Sequence, residues 1–137
     1  MGKTILIAGI SGQDGGILSE KLSKKGFKII GLSRKKRVSN FAEKIIKTKY
    51  NKIELIKILK KFNPKIIFNF AGESNPKTSW KNPIKDQDSI TKINLNFINA
   101  ILETNKKIRY FHASTSEIFG VSKKKLNENS PYSPNNP

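Results

Sequence analysis

The feature that most constrains this chain is the string Gly9-Ile10-Ser11-Gly12-Gln13-Asp14-Gly15, which follows an apolar run, Thr4 to Ala8 (TILIA), and opens a helix-like stretch. A glycine-rich turn between a buried strand and a helix is the setting of a dinucleotide-binding loop. Glycines let the backbone turn sharply and approach a pyrophosphate with no Cβ in the way. The N–H groups and positive end of the helix then hold the anion. Gly9 and Gly12 are expected to line the pyrophosphate and Gly15 to pack the helix onto the sheet. Ile10, Ser11, Gln13 and Asp14 complete the candidate cofactor loop. An ordinary glycine-rich β–α turn is the alternative, but strand, loop, helix and second strand are all in register here.

The rest of the chain repeats the alternation. Residues 12–25 read as a helix with Ile17, Leu18 and Leu22 on one face and Gly26 as its stop. Residues 28–32 (KIIGL) read as a second strand, and a basic turn follows. In residues 38–50 only Ile45 and Ile46 suggest a short third strand. Residues 51–62 form a helix pattern through Leu55, Ile56, Leu59 and Phe62, ended by Pro64. A fourth strand, residues 65–70, precedes a polar loop at 72–83. Residues 85–105 form a long helix pattern with Ile90, Ile93, Phe97 and Ile101 on one stripe and Ile98 and Leu102 beside it. That stripe is wider than one sheet face needs, so part of it is expected to stay exposed. Residues 109–113 are a fifth strand, and beyond Gly120 the chain is polar and rich in Pro and Asn. Strands alternating with helices predict an α/β fold, a Rossmann-like doubly wound parallel sheet of order 3-2-1-4-5.

Composition removes several classes of function. A length of 137 residues suits one domain. Without cysteine there is no disulfide or thiolate metal site, and the single histidine, His112, argues against a zinc centre. No metal is expected. The longest apolar runs, such as Ile66-Ile67-Phe68, are too short to span a membrane. Met1 leads straight into a strand pattern, so a cytoplasmic protein is the expectation. The net charge of +17 raises the question of nucleic acid. Arginine occurs only at Arg34, Arg37 and Arg109, while lysines are spread over nearly every segment beside many Asn and Ile, as AT-rich codon usage would give. A solvated lysine surface, with no nucleic-acid partner, is the reading.

Two further clusters carry chemistry. The second strand leads into Ser33-Arg34-Lys35-Lys36-Arg37, where NAD-specific folds place a carboxylate for the ribose 2′-hydroxyl. Arg34 can instead pair with a 2′-phosphate as a bidentate fork, which favours NADP. Past the fifth strand lies Ser114-Thr115-Ser116-Glu117. Hydroxyls with one carboxylate suit proton transfer on a polyol, and equally a Ser/Thr cap on a following turn.

Taken together, these residues resemble the extended short-chain dehydrogenase/reductase family, and within it the GDP-mannose 4,6-dehydratases. The narrower resemblance rests on GISGQDG at 9–15 and ASTSEIFG at 113–120, with Phe70-Ala71-Gly72-Glu73-Ser74, the Ser79-Trp80 loop and Pro83 in support. It implies that Phe70, Ala71, Gly72 and Ser74 touch the cofactor, and that the substrate is a nucleotide-sugar, GDP-mannose. It implies that Thr115 hydrogen-bonds the oxygen on carbon 4 of the mannose and that Glu117 works at carbons 5 and 6. It also implies a homo-oligomer built through the long helix. The chain departs from the family pattern in places. No acidic residue stands in Thr48-Lys49-Tyr50-Asn51, Glu73 and Asn75 replace Gln and His, and Ile90 stands where Asn or Asp is common. The family's Tyr-x-x-x-Lys would follow Ser133-Pro134-Asn135-Asn136-Pro137, and Tyr132 has Asn136 in the lysine's place. The expectation is therefore the NADP-binding amino-terminal part of such an enzyme, cut before its substrate domain and inactive by itself. Another nucleotide-sugar epimerase or dehydratase, or an inactive NADP-binding module, remains as the alternative.

Overall fold

A computed structural model of the chain describes residues 3–35, 39–72, 80–81 and 83–135. Five strands, β1 (Thr4–Ala8), β2 (Lys28–Ser33), β3 (Lys44–Lys47), β4 (Ile66–Asn69) and β5 (Arg109–His112), form one sheet of order β3-β2-β1-β4-β5. Every pairing is parallel, with Leu6 opposite Ile30 on one side and Ile67 on the other. This is the order expected from the alternation. β1 is central and covered on both faces, so it reads as an unbroken apolar run rather than an alternating one.

Successive side chains leave a strand on opposite faces, and two cores result. Leu6, Ala8, Leu32 and Ile67 pack with Leu55, Ile58 and Leu59 of α2 (Lys52–Phe62) and with Ile93, Phe97, Ala100 and Ile101 of α3 (Pro83–Thr104). Ile5, Ile7 and Ile29 pack on the other face with Leu18 and Leu22 of α1 (Gln13–Lys24) and with Ile10.

One helix face needs a correction, and the other is exposed in part, as its width suggested. On α1 the buried line is Gly15 and Ser19, with Leu18 and Leu22 packed on the core, whereas Ile17 is about half exposed, at 48%. The helix lies so close to the sheet that small residues occupy the contact line, and Ser19 turns its hydroxyl back onto the Gly16 carbonyl at 2.7 Å. On α3 the stripe through Ile93, Phe97 and Ile101 is buried, but Ile98 (43%) and Leu102 (54%) remain exposed, as does Leu95. The sheet accommodates one ridge of this helix only.

The stops fall where expected. Gly26 takes φ +80° after α1. Asn51 caps α2 by accepting the Glu54 N–H at 2.9 Å, and Asn63, in the left-handed region just before Pro64, ends it by donating its N–H to the Leu59 carbonyl. Among the described residues no helix is long and apolar enough to cross a membrane, and no group of His, Cys, Asp or Glu could hold a metal ion.

Candidate dinucleotide site

The glycine loop leaves the carboxyl end of β1, at the centre of the sheet edge. Gly9 has φ +77°, and a Cβ there would lie 2.8 Å from the carbonyl carbon and oxygen of Phe70 and 2.9 Å from the Ala71 nitrogen. The loop is thus pressed against the exit of β4, which explains a glycine at this position. Gly12 donates its N–H to the Gly9 carbonyl at 2.9 Å and stands at the N-cap of α1 in an extended conformation, with no side-chain cap. The opening N–H groups of a helix have no partner within it. An anion is a suitable partner for them, and the helix dipole favours it. A glycine loop that opens onto an uncapped helix start is thus an arrangement an anion could occupy.

The other members of the string divide. Ile10 buries its side chain over Gly31 of β2, where a Cβ would sit 2.7 Å from the Ile10 Cδ1. Its N–H donates to the Leu32 carbonyl at 3.3 Å. The Ser11 hydroxyl lies 3.1 Å from the buried Ser33 hydroxyl, which also accepts the Lys35 N–H at 3.2 Å. Gln13 and Asp14 are exposed on the first turn of α1. Arg34 follows Ser33 at the exit of β2 and is exposed, with no carboxylate in Ser33-Arg34-Lys35.

The loop is also held from a side the sequence did not signal. Tyr50, between β3 and α2, is buried and has φ +60°. Its hydroxyl donates to the Leu32 carbonyl at 3.1 Å and accepts the Gly9 N–H at 3.2 Å. Burial pushes its phenol up, opposed by the Gly9 N–H and by the charge of Arg34. Close by, Thr48 donates to the Glu54 carboxylate at 2.5 Å and holds it below the usual carboxylate range, with the Lys49 N–H assisting at 3.0 Å.

Beyond β4, Phe70 donates its N–H to the Ala8 carbonyl, Ala71 donates to the Asn69 side chain, and a Cβ on Gly72 would lie 3.5 Å from the Ile90 Cγ1. Phe70 and Ala71 thus flank Gly9. Ser74, with Glu73 and Asn75, lies outside the described residues. Thr115 and Glu117 stand two strands over from β1, past β5, both exposed. Thr115 caps the short turn Ser116–Phe119 by accepting the Glu117 N–H at 3.2 Å. The capping arrangement is therefore present. It uses a lone pair of the hydroxyl and leaves its proton available for a ligand oxygen.

A sequence model of the family described as GDP-mannose 4,6 dehydratase matches residues 6–137. The chain belongs to this family. It is 31% identical to the GDP-mannose 4,6 dehydratase of Dictyostelium discoideum over 98% of this chain and 44% of that protein. It is 30% identical to the GDP-mannose 4,6-dehydratase of Vibrio cholerae serotype O1 over 98% of this chain and 41% of that one. It therefore spans less than half the length of these relatives. The fold matches solved UDP-glucose 4-epimerases. The one from Brucella ovis, in complex with NAD, superposes with a TM-score of 0.87 at 16% identity, covering 98% of this chain and 42% of that one. The UDP-Glc/GlcNAc 4-epimerase of Campylobacter jejuni gives 0.85 at 23%, covering 98% and 44%.

Beside the site this GDP-mannose 4,6-dehydratase family member carries a polar network that the sequence reading missed. The buried Asn69 amide donates to the Asn94 side-chain oxygen at 3.1 Å and to the Tyr110 hydroxyl at 2.9 Å. Tyr110 in turn donates to Asn94 at 2.6 Å, and Asn94 donates to the Ile90 carbonyl at 3.0 Å. Burial pushes the Tyr110 phenol up to about 12, so it stays a donor. The one available signal was an asparagine inside an otherwise apolar strand, Phe68-Asn69-Phe70. Such a residue needs partners when buried.

Proposed function

We propose that this chain binds NADP on the glycine loop and is the cofactor-binding amino-terminal part of a GDP-mannose 4,6-dehydratase, forming GDP-4-keto-6-deoxymannose and water. The observation that carries the reading is the Gly9 cradle, closed against Phe70 and Ala71 and opening onto the start of α1, in a chain matched to this family over residues 6–137. Gly9, Gly12 and Gly15 with the backbone of Ile10, Ser11, Gln13 and Asp14 would hold the pyrophosphate. Arg34 would hold the 2′-phosphate, and Phe70, Ala71, Gly72 and Ser74 would line the cofactor. NADP, when bound, supplies a hydride acceptor and donor for the sugar.

The chain's own residues then handle protons. The Thr115 hydroxyl donates to the oxygen on carbon 4 of the mannose. The Glu117 carboxylate removes the proton from carbon 5, acidified by the ketone at carbon 4, and returns it to the hydroxyl leaving carbon 6. One carboxylate is thus a base and then an acid. We read the compartment as the cytoplasm. We read the net charge of +17 as a lysine surface without a nucleic-acid partner. The assembled enzyme is read as a homo-oligomer formed through α3, whose exposed Leu95, Ile98 and Leu102 support that reading.

The experiment is calorimetric titration with NADP and NAD, followed, in a form extended by a family-like segment with Tyr-x-x-x-Lys, by an assay of GDP-mannose dehydration with a mass-spectrometric readout of water loss. Dinucleotide binding with micromolar or tighter affinity is expected. No binding of either dinucleotide would remove the reading.

A further inference from the structure

Tyr50 is a loop residue from the far side of β3, yet it reaches the first residue of the glycine loop. Its ring is buried and lies 6.1 Å from the Phe97 ring, tilted by 50°. Its backbone is held on both sides. Its N–H donates to the Thr48 hydroxyl at 2.9 Å, and its carbonyl accepts the Asn96 amide of α3 at 3.0 Å. A tyrosine at φ +60° is uncommon, so the surrounding contacts hold it there.

A buried phenol needs one partner to be satisfied, and the Leu32 carbonyl at 3.1 Å is enough. The second bond goes to the Gly9 N–H at 3.2 Å, which the Leu32 carbonyl also accepts at 3.0 Å. The Gly9 peptide is thus held on its N–H side by strand two and by Tyr50 together. On the other side the Gly9 carbonyl accepts the Gly12 N–H at 2.9 Å and lies 2.4 Å from the Cβ position of Gly15. The orientation of this one residue therefore sets where α1 begins and where its opening N–H groups point. In a buried setting such a bond is electrostatically stronger than it would be in water.

We infer that Tyr50 is a positioning residue for the dinucleotide pyrophosphate, its hydroxyl fixing Gly9 and through Gly9 the amino-terminal end of α1. This rests on the dinucleotide reading of the loop. It extends the site to an α3–Tyr50–Gly9–α1 chain of contacts that is anchored at Asn96.

The test is Tyr50→Phe in the full chain, which keeps the ring and removes the hydroxyl. NADP and adenosine 2′-monophosphate, which lacks the pyrophosphate, are titrated into both proteins. The NADP Kd should rise about 3- to 10-fold, the size of one net hydrogen bond. The Kd of adenosine 2′-monophosphate should be unchanged. An unchanged NADP Kd, or equal losses for both ligands, overturns the positioning role, because general loosening of the fold weakens both. If Tyr50→Phe does not fold, Asn96→Ala, which frees the Tyr50 carbonyl and leaves the loop untouched, is judged by the same pair of ratios. A wild-type protein that binds neither ligand removes the dinucleotide reading itself, and this inference falls with it.

Discussion

The carbonyl oxygen of Gly9 lies 2.4 Å from the point where a Cβ on Gly15 would stand. No side chain fits there, and the neighbour is backbone that cannot swing aside. Gly16, one residue on, would place its Cβ 3.9 Å from the Ile10 carbonyl, an ordinary contact. The two glycines should therefore answer the same substitution with opposite signs. Gly15→Ala should destabilise the fold by about 1–3 kcal/mol, as overpacking does, and weaken dinucleotide binding. Gly16→Ala should stabilise it by up to about 1 kcal/mol through helix propensity. Urea denaturation of both variants checks the pair. Equal effects would mean that Gly15 is only a turn glycine.

Cofactor preference should reside in Arg34. It is exposed at the β2 exit, and Ser33-Arg34-Lys35 holds no carboxylate to repel a 2′-phosphate. NADP should bind about 10- to 100-fold more tightly than NAD, the range for charge-assisted hydrogen bonds. Arg34→Ala should erase most of the difference while leaving the NAD affinity close to that of the wild type. A preference that survives the substitution would move specificity elsewhere.

The network around Tyr110 predicts an alkaline weakness. Its phenol is pushed up to about 12 by burial, against about 10 in an unfolded chain. The fold prefers the protonated phenol, so this contribution to stability is full below about pH 10. It is lost as pH rises through the folded value of about 12. Tyr110→Phe should cost about 1–2 kcal/mol near neutral pH, because Asn69 and Asn94 lose a partner. It should also flatten the fall in stability above about pH 10. Denaturation midpoints measured across that window for both proteins decide it. Parallel pH curves would show that Tyr110 ionises freely.

Catalysis should divide along the residues present. None of Tyr50, Tyr110 and Tyr132 has a lysine four residues on, the tyrosine–lysine pair that the family resemblance calls for to ionise the 4-hydroxyl. A protein made of these 137 residues alone should bind NADP and give no detectable dehydration of GDP-mannose. In a form extended by a family-like segment with Tyr-x-x-x-Lys, Glu117→Gln should lower the rate of water loss by about 10²–10⁴ and leave the NADP Kd in place. Turnover by the 137 residues would falsify the division. An active Glu117→Gln variant would remove Glu117 as the base.

Most of the fold was legible because its central strands are buried on both faces, so TILIA and KIIGL stand out as apolar runs. The third strand was the hardest to see. Its four residues, Lys44–Lys47, carry only two apolar side chains, and neither is fully buried. Ile17 was assigned to the buried face of α1 because apolar residues were sought there, while the true contact line uses Gly15 and Ser19, whose value is their small size. The glycine loop was legible since its constraint is local. Tyr50 was not, because its partner Gly9 is 41 residues away and polar neighbours in sequence hide a buried phenol. Asn69 and Asn94 escaped for the same reason, being paired across β4 and α3. At Thr115 the two readings were both open in the sequence, and the cap on the Glu117 N–H is the one the structure forms.

Ile10 sits inside the cofactor loop, yet its side chain fills the space over Gly31 in the core beneath α1. The loop is therefore assembled when the sheet assembles and does not wait for a ligand. The entropy of ordering it has been lost during folding, so an arriving dinucleotide gives up mainly its own freedom. The loop should show no melting transition separate from that of the domain. Its opening requires Ile10 to leave the core, and the hydrogen-bonded amides of Gly9, Ile10 and Gly12 should exchange with solvent about as slowly as those of β1.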